Sequence, residues 1–543
     1  MMNLNKNIPE EKIFFFDNQS IELVQDLKRT VEIPNKYKEP VIVKDKSWER
    51  LPYVANSVWT IIQDSQTGEF HCWYEDWDVN PTGLIGSKAD IHDPSVARSR
   101  LCYAKSSDGF KWLKPELNLF IHEGAKTNVI LGPSFDNNTD FGSIHCPSVL
   151  EDPLEKNPSK KFKMIFQHVL PDDRNQFRIQ DNAGRFENLQ SPMRLAFSPD
   201  GINWEIDPQI LNFGGLGPKL GDVVVISFDP KFGRYVLNTR HPDAWKIDYG
   251  NFYPDNKNWS IPYFPNNLAQ NNKRRIFRTY SYDLFNWTQL EEILAADSTE
   301  DNLDDSFYSM SSWMISSTRP ETSLHPSRQF DLYVGLANVF HQVDNTLDVQ
   351  LIFSRDGHNW NRTNKRQPFL NNGPSNSWDQ YQVAVPSTPI TKNDKTLIFY
   401  GGSNTHHDWW ITGARENLDI PEAKDTSLVS HGIGIAEIGY DRYIYLEPNN
   451  LREGLLVTKP LQTGNQHLIV NGQCNKDGYI SIELLNESGD IINGFSKNDG
   501  KVFNGDSIEH EYQWSNTNNQ TLPDWVILRI WMKNCKLYTL KWE

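Results

Sequence analysis

A short motif that recurs four times limits the folds available to this chain more than any other feature. The motif is Ser-x-Asp-Gly-x-x-Trp; copies begin at Ser106, Ser198 and Ser354, and a variant with Leu in place of Gly begins at Ser281. Each copy follows a strand-like run, and Asp-Gly is a hairpin signal because Gly accepts a positive φ while Asp can hydrogen-bond the turn backbone. The copies recur at intervals of roughly 70 to 90 residues, which is typical of a chain built from similar supersecondary units. We therefore interpret the Asp and Trp of the motif as structural.

A second hairpin precedes each copy, and a fifth pair of hairpins follows the last one. The fifth unit reads AVPSTPITKNDKTLIFYGG and then GIGIAEIGYDRYIYL, in which Tyr440-Asp441-Arg442 takes the turn position. Five such units predict an all-β fold in which residues 51–448 form a five-bladed β-propeller. Residues 449–543 predict a C-terminal β-sandwich, because their strands are short and regularly spaced. Residues 1–50 are expected to add an edge strand or a lid, and a row of independent sandwiches is the alternative to the propeller.

Charge and composition exclude several classes of partner. The 70 Asp and Glu residues outnumber the 54 Lys and Arg residues, for a net charge of -16, whereas binding to phosphate backbones requires basic clusters. No stretch approaches the roughly 18 apolar residues of a membrane helix, so we expect neither nucleic acid nor membrane as a partner. The five Cys residues show no paired short spacing, which favours reduced thiols over a zinc site. The opening MMNLNKNIPEEK lacks the apolar core of a signal peptide, and a cytoplasmic location is expected.

The predicted strand order indicates which face of the disc carries the function. The turns between first and second strands, and between third and fourth, are short and share one face. The connections on the other face are long, and long loops on a rigid scaffold are where binding and catalysis usually occur. They span residues 75–98, 168–192, 240–272 and 403–431. We expect polar side chains from distant chain segments to converge on that face, at the mouth of one axial tunnel.

Acidic residues at this face point to cleavage of a glycosidic bond. That reaction needs one protonated carboxyl group and one ionised carboxylate. The candidate catalytic residues lie at the starts of innermost strands or at the ends of second strands, and they are Asp222, Asp379, Glu75, Asp305 and Asp304. The first three are the candidates for acid, base and auxiliary carboxylate, while only one residue of the adjacent Asp304-Asp305 pair is expected to face inward.

A structural interpretation competes with the catalytic one for each of these carboxylates. A single Asp at the start of a strand commonly caps a turn. Glu75 has a corresponding alternative, a salt bridge to Arg98 or Arg100 in the following loop.

Other polar and aromatic residues of the same face are candidates for binding the substrate. They are Arg240, His241, His168, His406, His407, Trp77, Asp76 and His145. Imidazole and guanidinium groups can bind sugar hydroxyls, a carboxylate or a sulfate, and the flat indole of Trp matches a sugar ring. Trp245, Trp409 and Trp410 are further candidates for stacking. No metal-ligand spacing requires a cofactor, and the alternative is a divalent cation held on the axis by His406, His168 and nearby Asp residues.

These features resemble the five-bladed propeller superfamily of glycoside hydrolase families 32, 43 and 68, and most of all the poorly characterised family-32-like proteins. The resemblance is carried by the repeated turns, by FFFDNQSIEL and GEFHCWYE, and by the tail from Leu451. It implies a propeller with an accessory sandwich and hydrolysis of O-glycosyl bonds. The Trp-Met-Asn-Asp-Pro-Asn and Glu-Cys motifs of invertase-type enzymes are absent. Their Arg-Asp-Pro motif is echoed only by Glu151-Asp152-Pro153, which the strand pattern places on the opposite face, so sucrose or fructan cleavage is not implied.

The leading functional hypothesis is a glycoside hydrolase that acts on the end of a small oligosaccharide. The exo mode is expected because long loops would wall the tunnel mouth into a pocket. Two alternatives use the same fold. A glycoside phosphorylase or a lyase would be a different enzyme, and the phosphorylase would place Arg240 and the histidines on phosphate. A non-catalytic glycan-binding protein would lack paired carboxylates in its pocket.

Overall fold

The chain is nearly all β. The computed structural model describes residues 9–79, 97–136, 140–170, 192–214, 220, 222–240, 274–297, 299–302, 304–317, 330–341, 343–407, 410–411, 419–450, 452–463, 467–517 and 520–543. The helices with bounds in these residues are the α-helical turn Pro421–Lys424 and the 3-10 turns Pro158–Lys160, Asn364–Arg366 and Thr426–Leu428. Within the described ranges, no helix has the length and apolar character needed to span a membrane.

The N-terminal segment contributes five short strands, and all of them pair with strands from the last third of the chain. They are β1 (Ile13–Phe14), β2 (Ile21–Gln25), β3 (Leu27–Val31), β4 (Asn35–Lys36) and β5 (Ile42–Val43). The segment therefore takes part in the tertiary structure through its backbone.

Two antiparallel four-stranded sheets follow. The first consists of β6 (Trp59–Gln63), β7 (Phe70–Val79), β8 (Ala97–Ser106) and β11 (Val129–Leu131), with the hairpin β9 (Leu117–His122) and β10 (Ala125–Thr127) beside it. The second consists of β12 (Ser143–Glu151), β13 (Phe162–Val169), β14 (Met193–Ser198) and β15 (Glu205–Ile206). In both sheets the strands are paired in sequence order.

Three further groups of strands continue the pattern. The third group is β16 (Asn212–Phe213), β17 (Val224–Asp229), β18 (Arg234–Thr239), β19 (Ile276–Ser281), β20 (Asn286–Trp287) and β21 (Glu291–Leu294). The fourth is β22 (Asp305–Ser316), β23 (Leu332–His341), β24 (Thr346–Ser354) and β25 (Asn361–Arg362). The fifth is β26 (Gln382–Ala384), β27 (Ile390–Lys392), β28 (Lys395–Ser403) and β29 (His431–Gly439). A single parallel pair, Leu347 with Gln382, joins the fourth group to the fifth.

The rest of the chain forms a separate nine-stranded sheet together with β1, β2 and β3. Its strands are β30 (Ile444–Pro448), β31 (Gly454–Thr458), β32 (Leu461–Gln462), β33 (Leu468–Leu485), β34 (Asp506–Tyr512) and β35 (Trp525–Trp542). The long strands β33 and β35 pair along most of their length, and their alternate apolar residues build a core of their own.

The structure divides the chain near residue 440 differently from the sequence pattern. The pattern assigns residues 443–446 to the last strand of the fifth unit, but β30 pairs with β3 and β35 in the nine-stranded sheet. The edge of β29 is occupied instead by β4 and β5. The chain leaves the fifth group at Asp441, which has φ +60° and is buried against Lys12, whose Nζ lies 2.7 Å from its carboxylate. Apart from the pairing of β30 with β35, these contacts join residues about 390 or more positions apart, and a local strand pattern gives no sign of them.

Apolar side chains fill the space between the five groups in order around the assembly. The first and second groups pack through residues such as Trp73 and Phe162, and the third and fourth through residues such as Ile276 and Met310. Other clusters join the second group to the third and the fourth to the fifth. The first group also packs on the fifth, where Phe70 and Phe399 share a cluster. The faces of all five groups are therefore covered by their neighbours.

Buried polar side chains connect the same groups through hydrogen bonds in a closed cycle. Each bond joins a backbone group of one unit to a side chain of the neighbouring unit. The donor and acceptor pairs are Val149 N to Thr60 Oγ1 (3.2 Å), Ile226 N to Ser148 Oγ (3.0 Å), Asn238 Nδ2 to Met310 O (3.0 Å), Val385 N to Asn338 Oδ1 (2.9 Å) and Ile61 N to Ser387 Oγ (2.8 Å). The cycle fixes the order of the five groups and brings corresponding strand ends together.

The repeated motif is a structural turn in all four copies, as its pattern predicts. The Asp carboxylate accepts hydrogen bonds from the backbone N–H groups two and three residues later, at 2.7–2.9 Å. The fourth position has φ between +69° and +82°, and Leu284 adopts this conformation where the other copies have Gly. In three copies the Trp indole donates to the carbonyl of that position. In the fourth copy, Arg278 donates to the carbonyl of Gly357 instead.

We expect Asp356→Ala to lower the free energy of unfolding by about 1–2 kcal/mol, because two turn N–H groups lose their acceptor, as in the loss of a helix cap. Asp356→Asn is the matched control, since its amide oxygen can accept the same bonds.

The turn lowers the pKa of Asp356 from 3.8 to about 2: burial acts against ionisation, and the bonds from Asn359, His358 and Ser354 outweigh it. The stability that the charge contributes is therefore present above pH 4 and is lost as the pH falls towards 2. Denaturant titrations at several pH values measure both effects; equal stability of wild type and Asp356→Ala contradicts this account of the turn.

Candidate functional site

The strand register brings the starts of the inner strands and the ends of the second strands to one end of the five groups. In the second group Ser143 lies opposite Val169, and in the third Val224 lies opposite Thr239. The segment Glu151-Asp152-Pro153 lies at the other end of its strand, where Glu151 pairs with Phe162. The expectation that this segment is on the opposite face is therefore confirmed.

Glu75 lies at the centre of a buried cluster that joins the first and second groups. Its side chain is fully buried, and its Oε2 accepts hydrogen bonds from Trp77 Nε1 (2.6 Å), Ser99 Oγ (2.9 Å) and His145 Nδ1 (3.1 Å). Its Oε1 accepts the backbone N–H of Cys146 at 2.5 Å. The alternative salt bridges are not the contacts found, since Arg98 donates to the carbonyl of Asp136 and Arg100 lies near Asp78. Glu75 and His145, predicted from different chain segments, do come together.

The backbone at the starts of two inner strands is in an uncommon conformation. Cys146 has φ +53° and Val223 has φ +61°, a region that β-branched residues rarely adopt. The two residues form a relay between neighbouring groups: the N–H of Cys146 reaches Glu75, and the N–H of Val223 reaches Cys146 Sγ at 2.9 Å. In the left-handed conformation, both N–H groups reach acceptors on the preceding group. Strain of this kind is commonly found at functional sites.

Beside Val223, a second set of polar residues continues the contacts across the third, fourth and fifth groups. Arg240 donates to both carboxylate oxygens of Asp222, and its Nε lies 2.9 Å from Oδ1. The guanidinium of Arg240 lies 4.0 Å from the ring centre of Tyr308, whose hydroxyl is 2.9 Å from His407 Nε2. Asp222, Arg240 and His407, all predicted from the sequence, therefore belong to one continuous set of contacts.

The charges of this end are set by burial and by these partners. Burial opposes protonation of His145, but Cys146 and Glu75 outweigh it and hold the pKa of His145 well above 6.5. Burial likewise opposes the charge of Arg240, and Asp222 and Tyr308 outweigh it, so the pKa of Arg240 is raised. Burial is also the main cause of the raised pKa of the Cys146 thiol, which His145 opposes. The Glu75–His145 pair is thus linked, through Cys146 and Val223, to the Asp222–Arg240 pair.

Asp305 and Asp304 have different surroundings. Asp305 is buried and accepts a hydrogen bond from His341 Nδ1 at 2.7 Å, while His341 Nε2 lies 3.0 Å from Asp348. Burial opposes protonation of His341, yet the two carboxylates raise its pKa to about 10. Asp304 accepts the N–H of Val343 at 3.2 Å, as a strand or turn cap does.

Asp379 contacts a different set of residues from the other candidate carboxylates, and its catalytic role stays a prediction. Its carboxylate accepts hydrogen bonds from Lys36 Nζ (2.7 Å) on the edge strand β4 and from Tyr400 (3.2 Å) on β28. A Cβ added to Gly402 would lie 2.7 Å from the Cβ of Asp379, so this glycine allows the Asp379 loop to lie flat on the sheet. The side chain thus points along the fifth group towards the edge strand. It forms a structural ion pair there.

Three other predicted ligands are engaged in local contacts. His168 Nε2 donates to the carbonyl of Phe141 at 2.7 Å, and His406 Nδ1 donates to the carbonyl of Asp344 at 2.7 Å. Asp76 accepts the N–H of Arg50 at 2.9 Å, and burial raises its pKa to about 7 against that bond. Asp76 alternates with Glu75 along β7, and adjacent strand residues point to opposite faces.

Two of the tryptophans predicted to stack on a sugar lie in the described residues, and both are buried. Trp77 is buried, and its ring stacks on Tyr53 with 4.1 Å between the ring centres while its indole N–H holds Glu75. Trp410 is buried in an apolar core. Both therefore support the structure. His241, Trp245 and Trp409 lie outside the described residues.

Sequence reasoning missed two residues that join the predicted ones. Cys146 links Glu75 to the third group, and Tyr308 links Arg240 to His407. Their positions in the sequence could have pointed to them, because Cys146 directly follows His145 and Tyr308 lies in the same inner strand as Asp305. Cysteine and tyrosine in an apolar strand are otherwise typical of core residues.

Comparisons with known proteins give no assignment. No family model matches the chain, and no curated protein matches its sequence. Among solved structures, an N-acetylgalactosamine deacetylase from F. plautii in complex with blood group B trisaccharide is 14% identical, with 76% of this chain and 96% of that chain covered and a TM-score of 0.41. A β-1,2-mannobiose phosphorylase from Listeria innocua is 12% identical, with 75% and 96% covered and a TM-score of 0.41. At these identities and TM-scores neither similarity supports a function for this chain.

We expect Glu75→Gln to lower the pKa of His145 towards 6.5, because the substitution keeps the shape of the side chain and removes the charge beside the imidazole. The pKa is measured by following the His145 ring signals with pH in NMR spectra of chelator-treated protein. Ser99→Ala is the control, since it removes one donor to Glu75 and keeps the carboxylate. A His145 titration that is the same in wild type and Glu75→Gln contradicts the assignment of this pair.

Proposed function

We propose that the chain is a glycoside hydrolase, built as a five-bladed β-propeller with a C-terminal β-sandwich, that removes sugar units from the end of an oligosaccharide. The observation that carries the proposal is the continuous set of contacts from Glu75 through Cys146, Val223 and Arg240 to His407. Each of the five groups contributes at least one ionisable side chain to this set, at the same end of the strands. The cycle of hydrogen bonds and the packing between neighbouring groups support the propeller.

Asp222 is the carboxylate that we assign to direct contact with the sugar. Its side chain is 31% exposed, whereas that of Glu75 is fully buried. The two hydrogen bonds from Arg240 fix the orientation of the Asp222 carboxylate, and a fixed orientation is what acid–base or nucleophilic work requires. Glycoside hydrolysis needs a second ionisable component near the bond that breaks. The hydrogen-bonded pair of Glu75 and His145, which is linked through Cys146 to Val223 beside Asp222, supports the assignment of this pair as the second component.

The exo mode and the sugar class rest on the sequence. The resemblance to families 32, 43 and 68 favours O-glycosyl bonds, and the long connections after the second strands favour a walled pocket. His407 and Tyr308 add hydroxyl and imidazole groups of the kind that bind sugar hydroxyls.

We expect Asp222→Asn to reduce turnover by about 10²–10⁴-fold in a screen of aryl glycosides and oligosaccharides, because it removes the ionisable group without changing the size of the side chain. Asp229→Asn is the matched control: Asp229 ends β17, the same strand that Asp222 precedes, and contacts Tyr333 at the opposite end. We expect Asp229→Asn to retain wild-type turnover. Wild-type activity in Asp222→Asn, or an equal loss in both variants, contradicts the assignment of Asp222.

A glycoside phosphorylase is the second candidate, and one observation favours it. Arg240 Nη1 is buried, and among the described residues it has no hydrogen-bond partner. A buried guanidinium N–H of this kind suits an oxygen of phosphate as well as a sugar hydroxyl.

Adding inorganic phosphate to the same assay separates the two reactions. For a hydrolase we expect the free sugar as product and turnover that does not depend on phosphate. Turnover only with phosphate, with a sugar 1-phosphate as product, contradicts hydrolysis and favours the phosphorylase. Mass analysis of the products measures both.

A further inference from the structure

Three buried side chains of different chemistry meet between the first and second groups. In the described residues, Glu75, His145 and Cys146 form a group whose candidate ligand atoms all lie within 4.8 Å of one another. All three residues are buried. His406 and His168, the residues of the alternative axial cation site, donate to backbone carbonyls. The cluster joins two strands of different groups, so it exists only in the folded chain.

The donor set selects among metal ions. A thiolate, an imidazole and a carboxylate are the ligands of Zn²⁺, whereas Ca²⁺ and Mg²⁺ take oxygen ligands. Three protein ligands are also the number found in catalytic zinc sites, where the fourth position is left to water or substrate. We propose that Glu75, His145 and Cys146 bind a zinc ion.

The surroundings of the three side chains resemble the outer shell of a metal site. Trp77 and Ser99 both donate to Oε2 of Glu75, at 2.6 and 2.9 Å, and so fix the direction of the carboxylate. Val223 donates its N–H to Cys146 Sγ, a contact that favours the charged thiolate. Hydrogen bonds of this kind orient the ligands of metal sites and tune their basicity.

The backbone conformation of Cys146 supports the proposed zinc site independently of the side-chain contacts. The register of β12 shifts between His145 and Ser148, and Cys146 lies inside this bulge with φ +53°. The bulge allows two consecutive residues, His145 and Cys146, to face the same carboxylate. In a regular strand their side chains would point to opposite faces. The bulge brings a thiol, an imidazole and a carboxylate together, and the free energy of metal binding would offset its conformational cost.

The zinc site goes beyond the proposed hydrolysis and does not depend on it. Binding of Zn²⁺ displaces the protons of the Cys146 thiol and of His145, so affinity falls as the pH decreases. The ion would take the place of the proton that Glu75 and His145 share. Binding is measured without any sugar, so failure of the zinc site and failure of the hydrolase proposal are separate results.

The test is zinc content of the full chain after chelator treatment, loading with ZnCl₂ alone and desalting. We expect about one zinc per wild-type chain and loss of that zinc in Cys146→Ser. Cys72→Ser is the matched control, because Cys72 is also fully buried and lies on the same strand as Glu75 but outside the cluster. Retention of zinc by Cys146→Ser, loss of it in both variants, or no zinc in the wild type overturns the proposal. Loading with CaCl₂ is expected to leave the chain without metal.

Two further measurements do not depend on how Cys146→Ser folds. Wild-type protein loaded with Co²⁺ is expected to show a thiolate-to-cobalt charge-transfer band, and bound cobalt without this band overturns ligation by Cys146. Ser99→Ala keeps all three ligands and removes one outer contact, so its zinc affinity is expected to fall by about tenfold. Unchanged affinity in Ser99→Ala contradicts the outer shell described here.

Discussion

The rest of this structure depends on one constraint: the buried backbone groups of the inner strands need hydrogen-bond partners from outside their own sheet. A buried N–H or C=O without a partner is costly, and within the described ranges the inner strands of neighbouring groups do not pair with one another in a regular ladder. Side chains supply the missing partners, as Ser148 does for Ile226 and Ser387 does for Ile61. Because each such contact joins one group to the next, satisfying the backbone also fixes how the strand ends meet.

The polar cluster at Glu75 is a consequence of the same constraint at the strand starts. Cys146 and Val223 adopt left-handed conformations, and each N–H then finds an acceptor on the preceding group. Such a conformation costs of order 1–3 kcal/mol, which a well-packed surrounding has to offset. The two strained residues lie next to a buried carboxylate, an imidazole and a thiol. Burying such groups is unfavourable unless they are paired. Proposals for hydrolysis and for zinc binding both draw on this concentration of polar groups.

The chain termini secure the arrangement from outside. The N-terminal strands β1 to β3 complete the nine-stranded sheet, while β4 and β5 cover the edge of the fifth group. An uncovered edge strand would present unpaired backbone groups to other chains. Lys36 of β4 also neutralises Asp379 on the fifth group. One short segment therefore links the C-terminal sheet to the fifth group and forms an ion pair with one of the candidate carboxylates.

The sequence by itself determined the local features of this protein: the strands, the turns at Asp108, Asp200, Asp283 and Asp356, and the sidedness of the strand ends. These follow from alternation and turn chemistry, which act over a few residues. Glu75, His145, Asp222 and Arg240 were found because they flank predicted strands on the predicted face. Only the tertiary structure decided which of them meet. It turned Asp379 towards Lys36, 343 positions away, covered Trp77 with Tyr53, and placed Cys146 against Glu75. Such choices depend on the packing of side chains between groups and on two left-handed residues, and neither leaves a periodic trace in the sequence.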